Sequence, residues 1–395
     1  MSGPGPHAGA WRVTLAGLCA SLVGIGLARF AYTPLLPVLI TEGWFPASQA
    51  AYLGAANLAG YLGGALCARP LARRSGAPWA LRAMMALVAV AFFACALPLS
   101  FAWFFLWRFA SGVAGGTLMV LAAPTVLPHV PAARRGLAGG AIFTGVGLGI
   151  MASGTVVPLL LQAGLVATWC GLGVLSLLLT ALAWGGWPEE EPSAPAPSAT
   201  PRRALAAVGA LRALYAEYAL NATGLVPHMV FLVDFVARGL GQGIHAGARY
   251  WVLFGLGAVA GPVLAGVLAD RIGFGPALRL ALAVQAVAVA LPVVTVAPLW
   301  LAVSSLVIGA AVPGVVPLVL GRVHELVPDD AEGQRAAWSV TTMAFALGQA
   351  AGAYGLSFLF AGGGHYATLF AVGAAALTLA LAIDLTARVA GRRPI

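Results

Sequence analysis

The sequence predicts an all-α polytopic membrane protein in which twelve transmembrane helices form two pseudo-symmetric six-helix bundles. Three observations predict it. Of 395 residues, 61% are hydrophobic and only 8% charged, whereas soluble domains carry roughly a quarter charged residues. The length divides into about twelve units of ~33 residues, each with room for ~20 apolar residues and a loop. Motifs in the first half also return in the second after about 200 residues. The 51 glycines and 26 prolines interrupt apolar runs rather than polar ones, and membrane helices tolerate both. A water-soluble enzyme and a disordered chain are both excluded.

In chain order the spans fall at about 13–40, 48–68, 78–99, 102–127, 136–160, 165–187, 209–236, 246–269, 276–296, 299–322, 335–360 and 366–387. The first follows Arg12 and continues through Leu39 with only Arg29 interrupting it. It therefore reads as a retained span rather than a cleaved signal. Leu18 beside Cys19 is too large for a bacterial lipidation site. Pro98 separates spans three and four, and Pro298 separates spans nine and ten, across very short turns. Residues 188–204, rich in Pro, Ser and Ala around Glu189, Glu190 and Glu191, have linker composition. They divide the chain into a bundle over 1–187 and a second over 205–395.

The formal charge of +9 arises from 21 basic and 12 acidic residues, and every basic residue is Arg. The arginines punctuate apolar segments instead of forming a soluble stripe with interleaved aromatics, so nucleic acid is not an expected partner. With the N-terminus inside, seventeen arginines, Arg12, Arg69 and Arg82 among them, fall on cytoplasmic segments, and only Arg238 and Arg249 on the other side. Arginine is retained on the cytoplasmic side during insertion. Both termini are accordingly expected in the cytoplasm of a bacterium, with the chain a monomer crossing the inner membrane. Trp11, Trp79 and Trp187 near one set of ends, and Trp44, Trp103, Trp169 and Trp300 near the other, read as interfacial belts. Cys19, Cys67, Cys95 and Cys170 lie in apolar stretches without metal-ligand spacing, as small core residues do.

The repeat is carried by Gly64, Arg69 and Pro78-Trp-Ala-Leu-Arg82 against Gly266, Arg271 and Pro276-Ala-Leu-Arg279, and by Val130-Pro131 against Val327-Pro328. Gly266-Val-Leu-Ala-Asp270-Arg271-Ile-Gly273 resembles the loop motif G-x-x-x-D-R-x-G of the major facilitator superfamily. The first-half loop reads Gly64-Ala-Leu-Cys-Ala68-Arg69, with Ala68 in place of the acidic residue. Arg108-Phe-Ala-Ser-Gly112-Val-Ala-Gly-Gly116 is similar to that superfamily's span-four motif. The run Gly24-Ile-Gly26-Leu-Ala-Arg29-Phe-Ala-Tyr32-Thr-Pro34-Leu-Leu-Pro37 is similar to its YbfB/YjiJ-type branch. The resemblance covers essentially the whole chain. It implies the major facilitator fold and secondary transport of a small solute, with Arg69, Asp270, Arg271 and Gly273 in gating loops and no cofactor. Gly145, Gly147, Gly149 and Gly154 only loosely echo the span-five motif of drug–proton antiporters, so antiport does not follow.

Subtracting the orientation signal leaves Arg29 and Arg108 within apolar spans, at similar depth. An arginine there costs at least ~2.5 kcal/mol on insertion scales and faces a cavity or a partner. Two like charges at one depth favour an anionic or amphipathic ligand, with Tyr32 within a turn of Arg29. Snorkelling or a carbonyl partner for Arg29, and helix packing for Arg108, are the competing readings. Glu217, Asn221, Gly224 and His228 share one face of span seven. Glu217 and His228 are the candidates for exchanging a proton, against an interfacial pair with Arg212 and a structural histidine. Asn57, and Trp338, Thr342 and Gln349 on one face of span eleven, are further candidates to line the same space, or else hydrogen-bond between helices. Glu325, Asp329, Asp330 and Glu332 read as solvated loop acids, and Asp234, Asp384 and Glu42 as ordinary helix-end residues. No nucleophile–base set, phosphate loop or metal constellation appears. The function expected is alternating-access transport of a small organic solute. A non-transporting sensor or scaffold on the same fold is the alternative, motivated by Ala68.

Overall fold

The computed structural model describes residues 6–131, 135–188, 204–328 and 330–391. Most of the expected linker (189–203), together with Arg134, Asp329, Arg392 and Arg393, lies outside the described residues. Twelve long helical segments follow one another. The first, α1, is composite: Pro6–Ser21, a π-helical turn Leu22–Leu27, and Tyr32–Thr41. Then come α2 (Ala47–Ser75), α3 (Ala77–Cys95), α4 (Phe101–Val126), α5 (Arg135–Leu160) and α6 (Leu165–Ala183). The second half opens with a composite α7: Ala204–Val226, π-helical Pro227–Phe231, Leu232–Asp234 and π-helical Phe235–Gly239. It continues with α8 (Ile244–Ile272), α9 (Phe274–Val294), α10 (Pro298–Leu326), α11 (Ala331–Gly363) and α12 (Tyr366–Gly391). Both proline-marked breaks are present, at 96–100 and 295–297.

Eleven of these helices are long and apolar enough to cross a membrane. The exception is α2, whose glycines, tyrosines and Asn57 lower its hydropathy. It lies between α4 and α11, so its neighbours are protein and its composition follows packing.

The two halves superpose in chain position with a constant offset. A Cβ at Gly60 would meet the Phe109 carbonyl, one at Gly64 that of Val113, and one at Gly112 that of Asn57. In the second half Gly257 would meet Leu306, Gly261 Ala310, and Gly309 Phe254. Every member of the second set stands 197 positions after its counterpart. Small residues thus let α2 touch α4, and α8 touch α10, backbone to backbone. This packing accounts for the glycines that follow Arg108.

The offset also corrects the loop register. Gly76 and Gly273, both at positive φ (80° and 83°), terminate α2 and α8. Leu71-Ala-Arg73-Arg74-Ser-Gly76 therefore matches Leu268-Ala-Asp270-Arg271-Ile-Gly273. Arg73, not Ala68, occupies the acidic position, and Arg69 corresponds to Gly266 rather than to Arg271. The offset also pairs Arg82 with Arg279. Arg82 donates to the Trp184 carbonyl at 2.9 Å, joining α3 to the end of α6, and Arg279 meets Asp384 at 2.6 Å, joining α9 to α12.

Among the described residues the bundles press together at one end. On α5, Gly154 and Gly147 press on Val252 and on the backbone at Val259 of α8, while Gly255 presses on Met151. Trp251 Nε1 donates to Ser153 Oγ at 2.8 Å. One heptad further along the same faces, a Cβ on Gly140 or Gly266 would meet nothing within 4 Å. The Tyr52 ring of α2 and the Tyr354 ring of α11 meet at a tilt, centroids 6.2 Å apart, at the converged end. The helices splay toward the end bearing the α2–α3 and α8–α9 turns, the arginine-rich end. Two expected belt residues are core residues instead: Trp169 is fully buried against Phe92 and Phe104, and Trp187 is 5% exposed. Trp11, Trp79 and Trp300 are exposed as expected.

Candidate functional site

Between the splayed bundles lies a chamber walled by residues of both. Ile25, Arg29, Phe30, Tyr61, Met119, Phe143 and Val146 line it from the first bundle. From the second come Tyr218, Val312, Pro313, Val316, Trp338, Thr342, Phe345 and Gln349. Helix faces explain the set: Trp338, Thr342, Phe345 and Gln349 recur at four, three and four residues on α11. Arg29 is the only charged residue among the described lining residues.

The interruption of α1 positions Arg29. Beyond the π turn the chain makes an irregular turn before Tyr32, and the Ala28 carbonyl there accepts a hydrogen bond from Arg108 Nη1 at 2.8 Å. The Arg108 guanidinium also lies over the Tyr32 ring, 4.4 Å from its centroid, and the Tyr32 hydroxyl donates to the Ala50 carbonyl at 2.7 Å. Asn57 Nδ2 donates to the Arg108 carbonyl and to Ser111 Oγ. Arg108, Tyr32 and Asn57 thus brace the break in α1. They border a narrow crevice that also reaches Arg29 and Met229, and they stand outside the chamber lining.

Arg29 itself is half-buried, with Nε and Nη2 lacking any acceptor. Its guanidinium lies 5.3 Å from the centroids of both the Phe30 and Tyr61 rings, a cation–π arrangement that holds the charge without neutralising it. Gln349 Nε2 contacts Met229 Sδ at 3.6 Å and its buried Oε1 has no partner. Two unmatched polar groups therefore flank the chamber beside Met229. Donors and acceptors left unpaired away from water are costly and mark where a ligand would be held.

The polar stripe of α7 turns the other way. Asn221 Nδ2 donates to Gln285 Oε1 of α9 at 2.8 Å. His228 Nε2 lies 2.7 Å from Ser304 Oγ of α10, and that hydroxyl donates to the Ala288 carbonyl at 2.6 Å. The serine proton being committed, Nε2 is the donor. Gly224 packs on Gly373 and Leu377 of α12. Glu217, buried, borders a small cavity with Leu278, Leu282 and Val319 inside the second bundle, one residue from the chamber-lining Tyr218. Of the residues singled out from sequence, Arg29, Trp338, Thr342 and Gln349 meet in the chamber. Tyr61, Tyr218 and Phe345 were missed, though Phe345 shares the α11 face already identified.

At the arginine-rich end Asp270 and Arg271 are exposed. Two of the loop acids expected to be solvated also cap helices, Glu325 while remaining exposed. Glu325 Oε1 accepts from the Phe274 amide at 3.2 Å while Oε2 meets Arg322 at 2.8 Å, and Asp330 Oδ1 accepts from the Gly333 amide at 2.8 Å. At the converged end Asp234, fully buried, binds Arg238 and accepts from the Tyr366 hydroxyl at 2.7 Å. Its ordinary helix-end reading is thus replaced by a buried carboxylate that pairs with Arg238 within α7 and accepts from Tyr366 of α12.

Two structurally equivalent membrane bundles around one chamber define a membrane transporter of the major facilitator type. The chain belongs to the family described as the uncharacterised MFS-type transporter YbfB, whose model matches residues 21–385. Its fold is similar to that of a solved D-xylose–proton symporter, with a TM-score of 0.72 at 15% identity over 95% of this chain and 96% of that one. No curated protein matches it in sequence.

Proposed function

We propose that the protein moves a small organic anion, amphipathic in character, across the bacterial inner membrane by alternating access, with both termini in the cytoplasm. The observation that carries this reading is the Arg29 guanidinium, which faces a predominantly apolar chamber without an acidic partner. A buried cation is stabilised most by an anion it can hydrogen-bond. A sugar, the cargo for which the similar symporter is named, fits less well. Nine of the fifteen described lining side chains carry no hydrogen-bonding group, and the Thr342 hydroxyl already donates to the Trp338 carbonyl at 2.9 Å.

Rocking of the two bundles about the converged end would expose the chamber alternately to the two sides. For coupling to protons, Glu217 is the proposed carboxyl, because it is buried next in sequence to Tyr218 of the chamber wall and borders one small cavity with it. Counterflow in liposomes across a panel of organic anions tests the reading. Anion counterflow lost in Arg29→Ala with the protein still folded supports it; undiminished flux removes Arg29. Unchanged flux under an imposed pH gradient would remove Glu217 and His228 as coupling groups.

A further inference from the structure

We infer that the chamber selects monoanions with a flat apolar body, taken up with the carboxylate foremost beside Arg29; this rests on the anion reading above and names its substrate class. The number of charges comes from the lining. Among the described lining residues Arg29 is the one cation, and Arg108 is not a second one, because it is committed to the Ala28 carbonyl and the Tyr32 ring. A dianion would leave one carboxylate against apolar side chains, where an unpaired charge is strongly disfavoured. A zwitterion would place an ammonium near a guanidinium, with no carboxylate among the described lining residues to receive it.

The body comes from the walls and their order. Gln349 and Arg29 both adjoin Met229, which fixes the polar end at the converged side. Trp338 lies eleven residues nearer the arginine-rich end of α11, about 16 Å away at the helical rise of 1.5 Å per residue. Between them Phe345, Phe143 and Met119 supply ring faces and a polarizable thioether. A solute entering from the splayed end therefore passes an aromatic wall before its charge reaches Arg29. That order rewards a slim apolar tail trailing a single anionic head.

Binding to the full-length protein in nanodiscs, followed by calorimetry and tryptophan fluorescence, tests the inference. The probes are 3-phenylpropionate, its neutral amide, phenylalanine and succinate. The expected order places 3-phenylpropionate at least tenfold tighter than the other three. Arg29→Ala should weaken it at least tenfold while Arg29→Lys restores part of the loss, and Trp338→Phe should remove most of the ligand-induced fluorescence change. Succinate or phenylalanine binding as tightly as 3-phenylpropionate would overturn the monoanion class while leaving anion transport intact. An amide that binds as well as the acid, or anions that neither bind nor exchange in liposomes, would sink the anion reading itself. Size-exclusion profiles identical to wild type separate these outcomes from misfolding, and Phe143→Ala, which leaves Arg29 in place, probes the wall independently: unchanged 3-phenylpropionate affinity there would remove the aromatic wall from the inference.

Discussion

The hydroxyl of Thr33 donates to the backbone carbonyl of Met229, tying the first helix of one bundle to the first helix of the other. Met229 lies within the π-helical turn Pro227–Phe231, where the regular i→i−4 ladder is broken. The bond belongs to the converged state and has to part when that end opens. Thr33→Val keeps the shape and removes the donor. A net loss of about 1 kcal/mol corresponds to a shift of about fivefold toward the opposite state. In a variant carrying Val230→Cys and otherwise free of reactive cysteines, labelling by an impermeant maleimide from the converged side should quicken severalfold. An unchanged rate would show that the bond does not restrain opening.

Gly140 and Gly147 occupy one face of α5 but different surroundings. Gly147→Leu should destabilise the converged state, by roughly 1–3 kcal/mol for overpacking, and lower the thermal midpoint in nanodiscs. Gly140→Leu should leave stability near wild type yet stop counterflow, because the added side chain blocks the approach of α5 to α8 that closes the splayed end. Normal counterflow by Gly140→Leu would mean that these helices never meet there.

Ser304→Ala strands a buried imidazole. The expected cost is about 1–3 kcal/mol for the unpaired His228 N–H, read as a lower thermal midpoint, with ligand affinity unaltered because the pair faces away from the chamber. A selective loss of affinity would return His228 to the binding site.

Asp234→Asn and Tyr366→Phe separate the members of the converged-end cluster. Removing the Asp234 charge leaves the partly exposed Arg238 without its partner and costs more than the roughly 1 kcal/mol of losing one hydroxyl partner. Unfolding of the two variants side by side should preserve that order, and equal effects would show that Asp234 depends on the tyrosine as much as on Arg238.

The helices were legible because each apolar run is long enough to span a bilayer and is bounded by a short turn or by arginines. Arg29 was legible for the same reason in reverse, as a charge where none belongs. What stayed hidden was direction around the helix axis. Arg108 and Arg29 share a depth, yet one points at a broken backbone and the other into the chamber. The α7 stripe is polar on one face, as expected, and that face meets α9, α10 and α12. Trp169 and Trp187 sit at belt depth in sequence and at core positions in space. The α2–α3 loop escaped because two arginines five residues apart each offered a plausible register, and only the positive-φ glycines decide between them.

The constant spacing between the halves holds for α2 with α4 and for α8 with α10, but the broken stretches of α1 and α7 do not share it: the π turn of one begins at Leu22 and that of the other at Pro227. Backbone-to-backbone seams leave no compressible side chains between their helices, so each seamed pair can only travel as a stiff plank. Changes in the width of the chamber must then be absorbed by the two interrupted helices, and the same interruption in α1 that aims Arg29 at the cargo makes that residue ride on the most deformable part of its bundle.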